Sequence, residues 1–127
     1  MAALVLTADL MLQSQLAGAA ARAQATVALA GNAEALCARL AENSLNHNGQ
    51  ARLVALDLSV GGLNVEELVT RIRALAPEAT ILAFGPHVQH ERLETAKAAG
   101  CDMVISRGKF HAEMDALLAR YAAAAGP

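Results

Sequence analysis

The sequence predicts an α/β domain, a doubly wound parallel sheet of five strands with helices on both faces. Three observations carry that prediction. Five short runs are apolar almost throughout instead of alternating with polar residues, as strands covered on both faces must be. Longer segments with helical spacing separate the runs, so strand and helix alternate along the chain. Turn residues and helix stops fall between the two kinds of segment.

The first strand is Ala3–Thr7, "ALVLT", and the helix after it is the Ala-rich "LMLQSQLAGAAARA", with Gly18 inside it. Ala25–Ala30, "ATVALA", is the second strand, and Asn32 is placed to cap the helix "AEALCARLAENSL". A turn, "NHNGQ", leads into the third strand, Arg52–Asp57. In the third helix Val65, Leu68, Val69, Ile72 and Leu75 recur at helical spacing until Pro77 stops it. Thr80–Phe84 is the fourth strand, and the helix "QHERLETAKAA" ends at Gly100, a natural residue just past a helix end. Asp102–Ser106 is the fifth strand. The last helix carries Phe110, Met114, Leu117, Leu118 and Tyr121 on one stripe. Residues 1–122 therefore read as one domain and 123–127 as a frayed tail, with no internal repeat.

Bulk composition excludes several function classes. The 127 residues are 55% hydrophobic and 17% charged with a net charge of -2, a globular balance. There is no basic footprint for nucleic acid, and 2% aromatic content without Trp leaves no platform for stacking bases. Asp9 interrupts the apolar N-terminus, which lacks a basic start, so neither a signal peptide nor a membrane span is expected. Cys37 and Cys101 are too few for a disulfide framework, and free thiols in a cytoplasmic protein are the expectation.

Chemistry in such a sheet sits at the carboxyl edge of the strands. Asp57 ends the third strand there and Asp9 follows the first, and those strands are expected to be neighbours. Two close carboxylates repel unless one takes up a proton or a cation joins them, and Mg²⁺ on oxygen ligands is the usual resolution. An Asp beside Mg²⁺ can also attack a phosphoryl donor. Asp9 has a second reading as the cap of the first helix. His87, in "FGPH", and His47, His90 and His111 gather no partner ligands, so no zinc site is expected. No phosphate-binding glycine motif occurs.

Three segments carry a resemblance. "LVALDLSVGGLNVEEL" is similar to a hydrophobic run into D-L-x-M-P-G-x-x-G-x-E-L. "RIRALAPEATILAF" is similar to R-x-x-x-P-x-x-P-I-I-x-L, and "AKAAGCDMVISRGKF" to an alanine-rich helix, G-A-D and a strand ending in K-P-F. Together they resemble the receiver domain of response regulators over essentially the whole chain. The resemblance implies a (βα)₅ flavodoxin-like/CheY-like three-layer sandwich with strand order 2-1-3-4-5. It places Asp57 at the phospho-acceptor position and Asp9 in the acidic pocket. Gly85 and Val104 stand at the switch positions, and Arg107 or Lys109 at the pocket cation. Asp102 matches the structural G-A-D.

Departures from the pattern are chemical. "TADL" holds one acid where the family has two, Gly85 has no hydroxyl, Val104 no ring, and Gly108 replaces the proline. These losses describe a degenerate pseudo-receiver: a two-component, phosphorelay-type signalling module, not an enzyme, acting by protein contact with Asp57 phosphorylation impaired or absent. The alternative is a working phospho-acceptor using Asp57 and Mg²⁺; a small phosphatase or a flavodoxin-like cofactor binder is the enzyme-class alternative. Asp57 is then either an acceptor or a retained acid paired with Arg107 or Lys109. No cofactor is certain, and Mg²⁺, held weakly by Asp9 and Asp57, is the one candidate. Expected partners are a histidine kinase or output protein, or a second copy through helix 4, strand 5 and helix 5. Exposure of Val88 or Leu93 would support that surface.

Overall fold

In the computed structural model, which describes residues 3–46 and 51–121, strands and helices alternate strictly. The strands are β1 (Ala3–Leu6), β2 (Val27–Ala30), β3 (Leu53–Asp57), β4 (Thr80–Gly85) and β5 (Met103–Ser106). The helices are α1 (Leu10–Ala23), α2 (Ala33–Asn46), α3 (Val65–Leu75), α4 (His90–Ala98) and α5 (Arg107–Tyr121). Every neighbouring pair of strands is parallel, in the order β2-β1-β3-β4-β5. This is the doubly wound (βα)₅ sandwich that the apolar runs predict.

Alternation along each strand divides the core into two layers. Leu4, Leu6, Val54, Leu56, Ile81 and Ala83 pack on one face against Leu36, Leu40, Leu68 and Ile72 of α2 and α3. Val5, Leu53, Ala55, Leu82 and Phe84 pack on the other against Leu12 and Leu16 of α1 and Phe110, Met114 and Leu118 of α5. β3 is buried at every position, Asp57 included. A polar side chain that deep must find its hydrogen bonds inside the protein.

Helix ends follow the caps. Asp9 Oδ1 accepts from the Met11 and Leu12 amides, Asn32 Oδ1 from Ala35 and Asn64 Oδ1 from Glu67. Gly100, past the end of α4, takes a φ of +99° that side chains rarely adopt. Strand ends differ from the sequence reading by a residue or two: β1 stops at Leu6, β2 starts at Val27, β3 at Leu53 and β5 at Met103, and β4 runs on to Gly85, whereas α1 spans the residues expected of it. α5 begins at Arg107, before its apolar stripe starts at Phe110, and Arg107 faces the polar carboxyl edge instead of the core. α1 ends on Gln24 in the left-handed region, φ 53°, whose amide bonds back to Ala20 and Ala21. The predicted turn residues 47–50, with His47, and the tail 123–127 lie outside the described residues.

Candidate acid site at the carboxyl edge of the sheet

Register sets the site. Leu6 of β1 lies opposite Leu56 of β3, so the next residues of each chain segment, Thr7 and Asp57, meet side by side. Both are buried, Thr7 at 0% and Asp57 at 1% exposure. Thr7 Oγ1 donates to Asp57 Oδ2 at 2.7 Å. The other carboxylate oxygen, Oδ1, accepts from the Ser59 amide at 3.0 Å, the Ser59 hydroxyl at 2.5 Å and Arg107 Nη1 at 3.2 Å. Both oxygens therefore have donors, and one donor is charged, which makes that bond the stronger kind.

Arg107 is the first residue of α5 and reaches back over the edge. Its Nη2 donates to Asp9 Oδ2, so a single guanidinium joins Asp9 and Asp57. The planar fork lies 6.0 Å above the centre of the Phe84 ring, which itself stacks on Phe110 at 4.0 Å. A cation at a helix N-terminus faces the positive end of the helix dipole, an unfavourable place unless acids answer it. Here two do. Asp9 in turn is held below the usual carboxylate range, first by the Leu12 amide; burial pushes the other way, and Arg107 and the Met11 amide add to the lowering.

Residues singled out in the sequence thus divide. Asp9, Asp57 and Arg107 come together; Lys109 does not join them. Its ammonium lies 3.8 Å from Glu113 one turn along α5, and its amide donates to Ser106 Oγ. Gly85 ends β4 with no φ strain, but a Cβ there would lie 3.2 Å from Leu58 Cβ. A hydroxyl-bearing side chain there would have to press Leu58 aside, and the Leu58 amide is fixed to Phe84 O at 2.9 Å. Val104 lies half-buried in β5, opposite Ala83, and packs into the α2–α3 layer of the core. Asp102 is tied to Arg73 and to the Ile81 amide.

Three partners escaped the sequence reading. Thr7 was visible only as a strand end; its role follows from the register. Ser59 follows Asp57 by two residues, and that spacing is itself the signal of an Asp side chain bonding its own downstream amide. Arg92 of α4 donates to Leu58 O at 2.5 Å. It borders a groove of about 480 Å³ between α4 and the segment after β3, also lined by Leu63, Glu66 and Glu91.

As they stand, these residues do not fit a divalent metal. The space between the two carboxylates is taken by a guanidinium bonded to both, and no cluster of three or more His, Cys, Asp or Glu side chains that could hold a metal occurs among the described residues. The cation joining the acids is the chain's own.

No protein-family profile and no curated protein matches this chain; solved structures do. It is similar to NtrX from Brucella abortus, with 24% identity and a TM-score of 0.71 over 94% of this chain and 26% of that one. It therefore spans about a quarter of that protein's length. It is similar to the CheY-like protein TadZ from Pseudomonas aeruginosa PAO1, with 22% identity and a TM-score of 0.68 over 94% of this chain and 98% of that one. It is also similar to the receiver domain of a sensor histidine kinase from the same organism, with 15% identity and a TM-score of 0.70 over 94% of each chain. That last structure has a magnesium ion coordinated in its active site cleft. The fold of this chain is the receiver-domain fold. No helix of the described residues is long and apolar enough to cross a membrane.

Proposed function

We propose that this chain is a receiver-type signalling module that acts by protein contact, and that Asp57 serves as an internally neutralised acid instead of being turned over as a phospho-acceptor. One observation carries the reading: the buried Asp57 carboxylate has both oxygens engaged by Thr7, Ser59 and Arg107. Three donors crowd Oδ1, and Oδ2, which accepts from Thr7 alone, is buried, so a phosphoryl donor has no open route to it; ion pairing with Arg107 lowers the reactivity of the carboxylate further.

Two other features support it. Leu58 occupies the space beside Gly85, and Val104 has no ring to move, so a phosphoryl group would have no two-state element to bias. Output then comes through surface contact with a partner protein, a histidine kinase or an output protein. The α4–β5–α5 side is the candidate surface. Val88, ahead of α4, is 72% exposed, whereas Leu93 is half-buried against the core. No catalytic role is assigned to any residue.

The test is incubation with a small phosphoryl donor such as phosphoramidate, with Mg²⁺ present, followed by intact mass measurement. No phosphoryl adduct is expected. An adduct that disappears in Asp57→Asn would restore the working phospho-acceptor.

A further inference from the structure

We propose that Arg107 is a tethered counter-cation standing in the place of a divalent ion, and that removing its charge uncovers a Mg²⁺ site formed by Asp9 and Asp57. This rests on Asp57 being internally neutralised, as proposed for its function, and names the residue responsible and what that residue hides.

Charge and reach both single out Arg107. Two carboxylates at one edge require a cation, and the other basic side chains whose partners are placed are engaged elsewhere. Arg22 pairs with Asp115, Arg71 with Glu34, Arg73 with Asp102, and Lys109 with Glu113. A planar fork is suited to two acids at once, giving Nη1 to Asp57 and Nη2 to Asp9, where a lysine ammonium would be a point charge on a flexible stem. The face of Phe84 beneath the guanidinium and its limited exposure, 24%, hold the fork in place. Two carboxylates are also enough for Mg²⁺, which keeps most of its waters and is commonly bound through one or two such groups. With the fork gone, the two acids are left facing each other, and a hard divalent cation is the species that relieves them.

The experiment is a titration of the full chain with Mn²⁺, a paramagnetic stand-in for Mg²⁺, read by broadening of backbone amide NMR signals. Wild type, Arg107→Ala, Arg107→Gln and Arg107→Gln/Asp57→Asn are compared, with dispersion of the spectra reporting folding. Arg107→Gln keeps the side-chain length and serves if the alanine variant does not fold. Broadening is expected around Asp9 and Asp57 in the single Arg107 variants, with affinity raised at least about tenfold over wild type and abolished in the double variant. Site-specific broadening in wild type at the same Mn²⁺ concentration would overturn the inference, as would folded Arg107 variants that stay sharp. Failure of the functional reading is separate: it shows as a phosphoryl adduct on wild type, whichever way the metal titration falls.

Discussion

Two arginine–aspartate pairs brace this sheet from opposite ends. At the amino end of β4 and β5, Arg73 of α3 donates to Asp102 Oδ2 at 2.9 Å and to the carbonyls of Ala79 and Gly100, while Asp102 also receives the Ile81 amide. Side chains there are 35% and 44% exposed. At the carboxyl end Arg107 meets Asp57, and the exposures are 24% and 1%. The donor–acceptor chemistry is the same and the surroundings are not. Water can replace either member of the Arg73 pair, so the pair adds little beyond its contacts. Water does not replace Arg107 beside a buried carboxylate, and breaking that pair without a divalent cation present leaves a charge stranded in the interior. The first pair ties elements together; the second sets the charge of a pocket.

The sharpest way to break this comparison is Arg107→Leu, expected to cost about 3 kcal/mol because Asp57 and Asp9 lose their shared cation. Urea unfolding should show a lower midpoint with an unchanged slope. Adding Asp57→Asn should recover part of the loss, with a coupling of about 1–3 kcal/mol. Strictly additive costs would mean that the guanidinium is no more than a surface contact. Thr7→Val comes next, at about 1–2 kcal/mol, since Asp57 Oδ2 loses its hydroxyl donor in a dry place. Thr7→Ser should restore most of it, and a fully stable valine variant would show that water reaches the acid. Arg73→Gln should cost less than about 1 kcal/mol in the same assay, and a loss matching that of Arg107→Leu would erase the distinction between the two ends.

The smallest expected effect is on pH dependence. Burial pushes the Asp102 carboxyl up, but the Ile81 amide and Arg73 more than offset it, leaving it below its ordinary 3.8. A depressed carboxyl stabilises the folded state at pH above its ordinary value, and that contribution disappears as pH falls through the lower folded value. Melting temperature should therefore decline below about pH 4, and Arg73→Gln should make the acid limb shallower. An identical limb in the variant would show that Arg73 does not set the Asp102 carboxyl.

Most of the fold was legible because buried parallel strands announce themselves as unbroken apolar runs and because Asn32, Pro77 and Gly100 mark helix ends by local chemistry. Gln24 carries no such mark: a left-handed glutamine is decided by where α1 must turn into β2. The site was legible in its parts and not in its assembly. Asp57 and Asp9 could be placed at one edge, and the need for a cation followed from repulsion. Choosing between Arg107 and Lys109 required knowing that α5 starts at Arg107, which turns the two residues to different sides. The apolar stripe beginning at Phe110 said nothing about that start. Thr7 depended on strand register, which a continuous apolar run does not encode.

The close approach of Gly85 to Leu58 limits what the tip of β4 can carry. A side chain placed at residue 85 must push against Leu58 Cβ, an atom held by a backbone that is itself bonded to β4. Shrinking Leu58 first would open a void in the core. It would also leave the Cβ in place, so relief must come from a shift of the Leu58 backbone instead. The tip of β4 is therefore a place where the backbone of the neighbouring segment, more than the residue itself, sets which side chains can be carried.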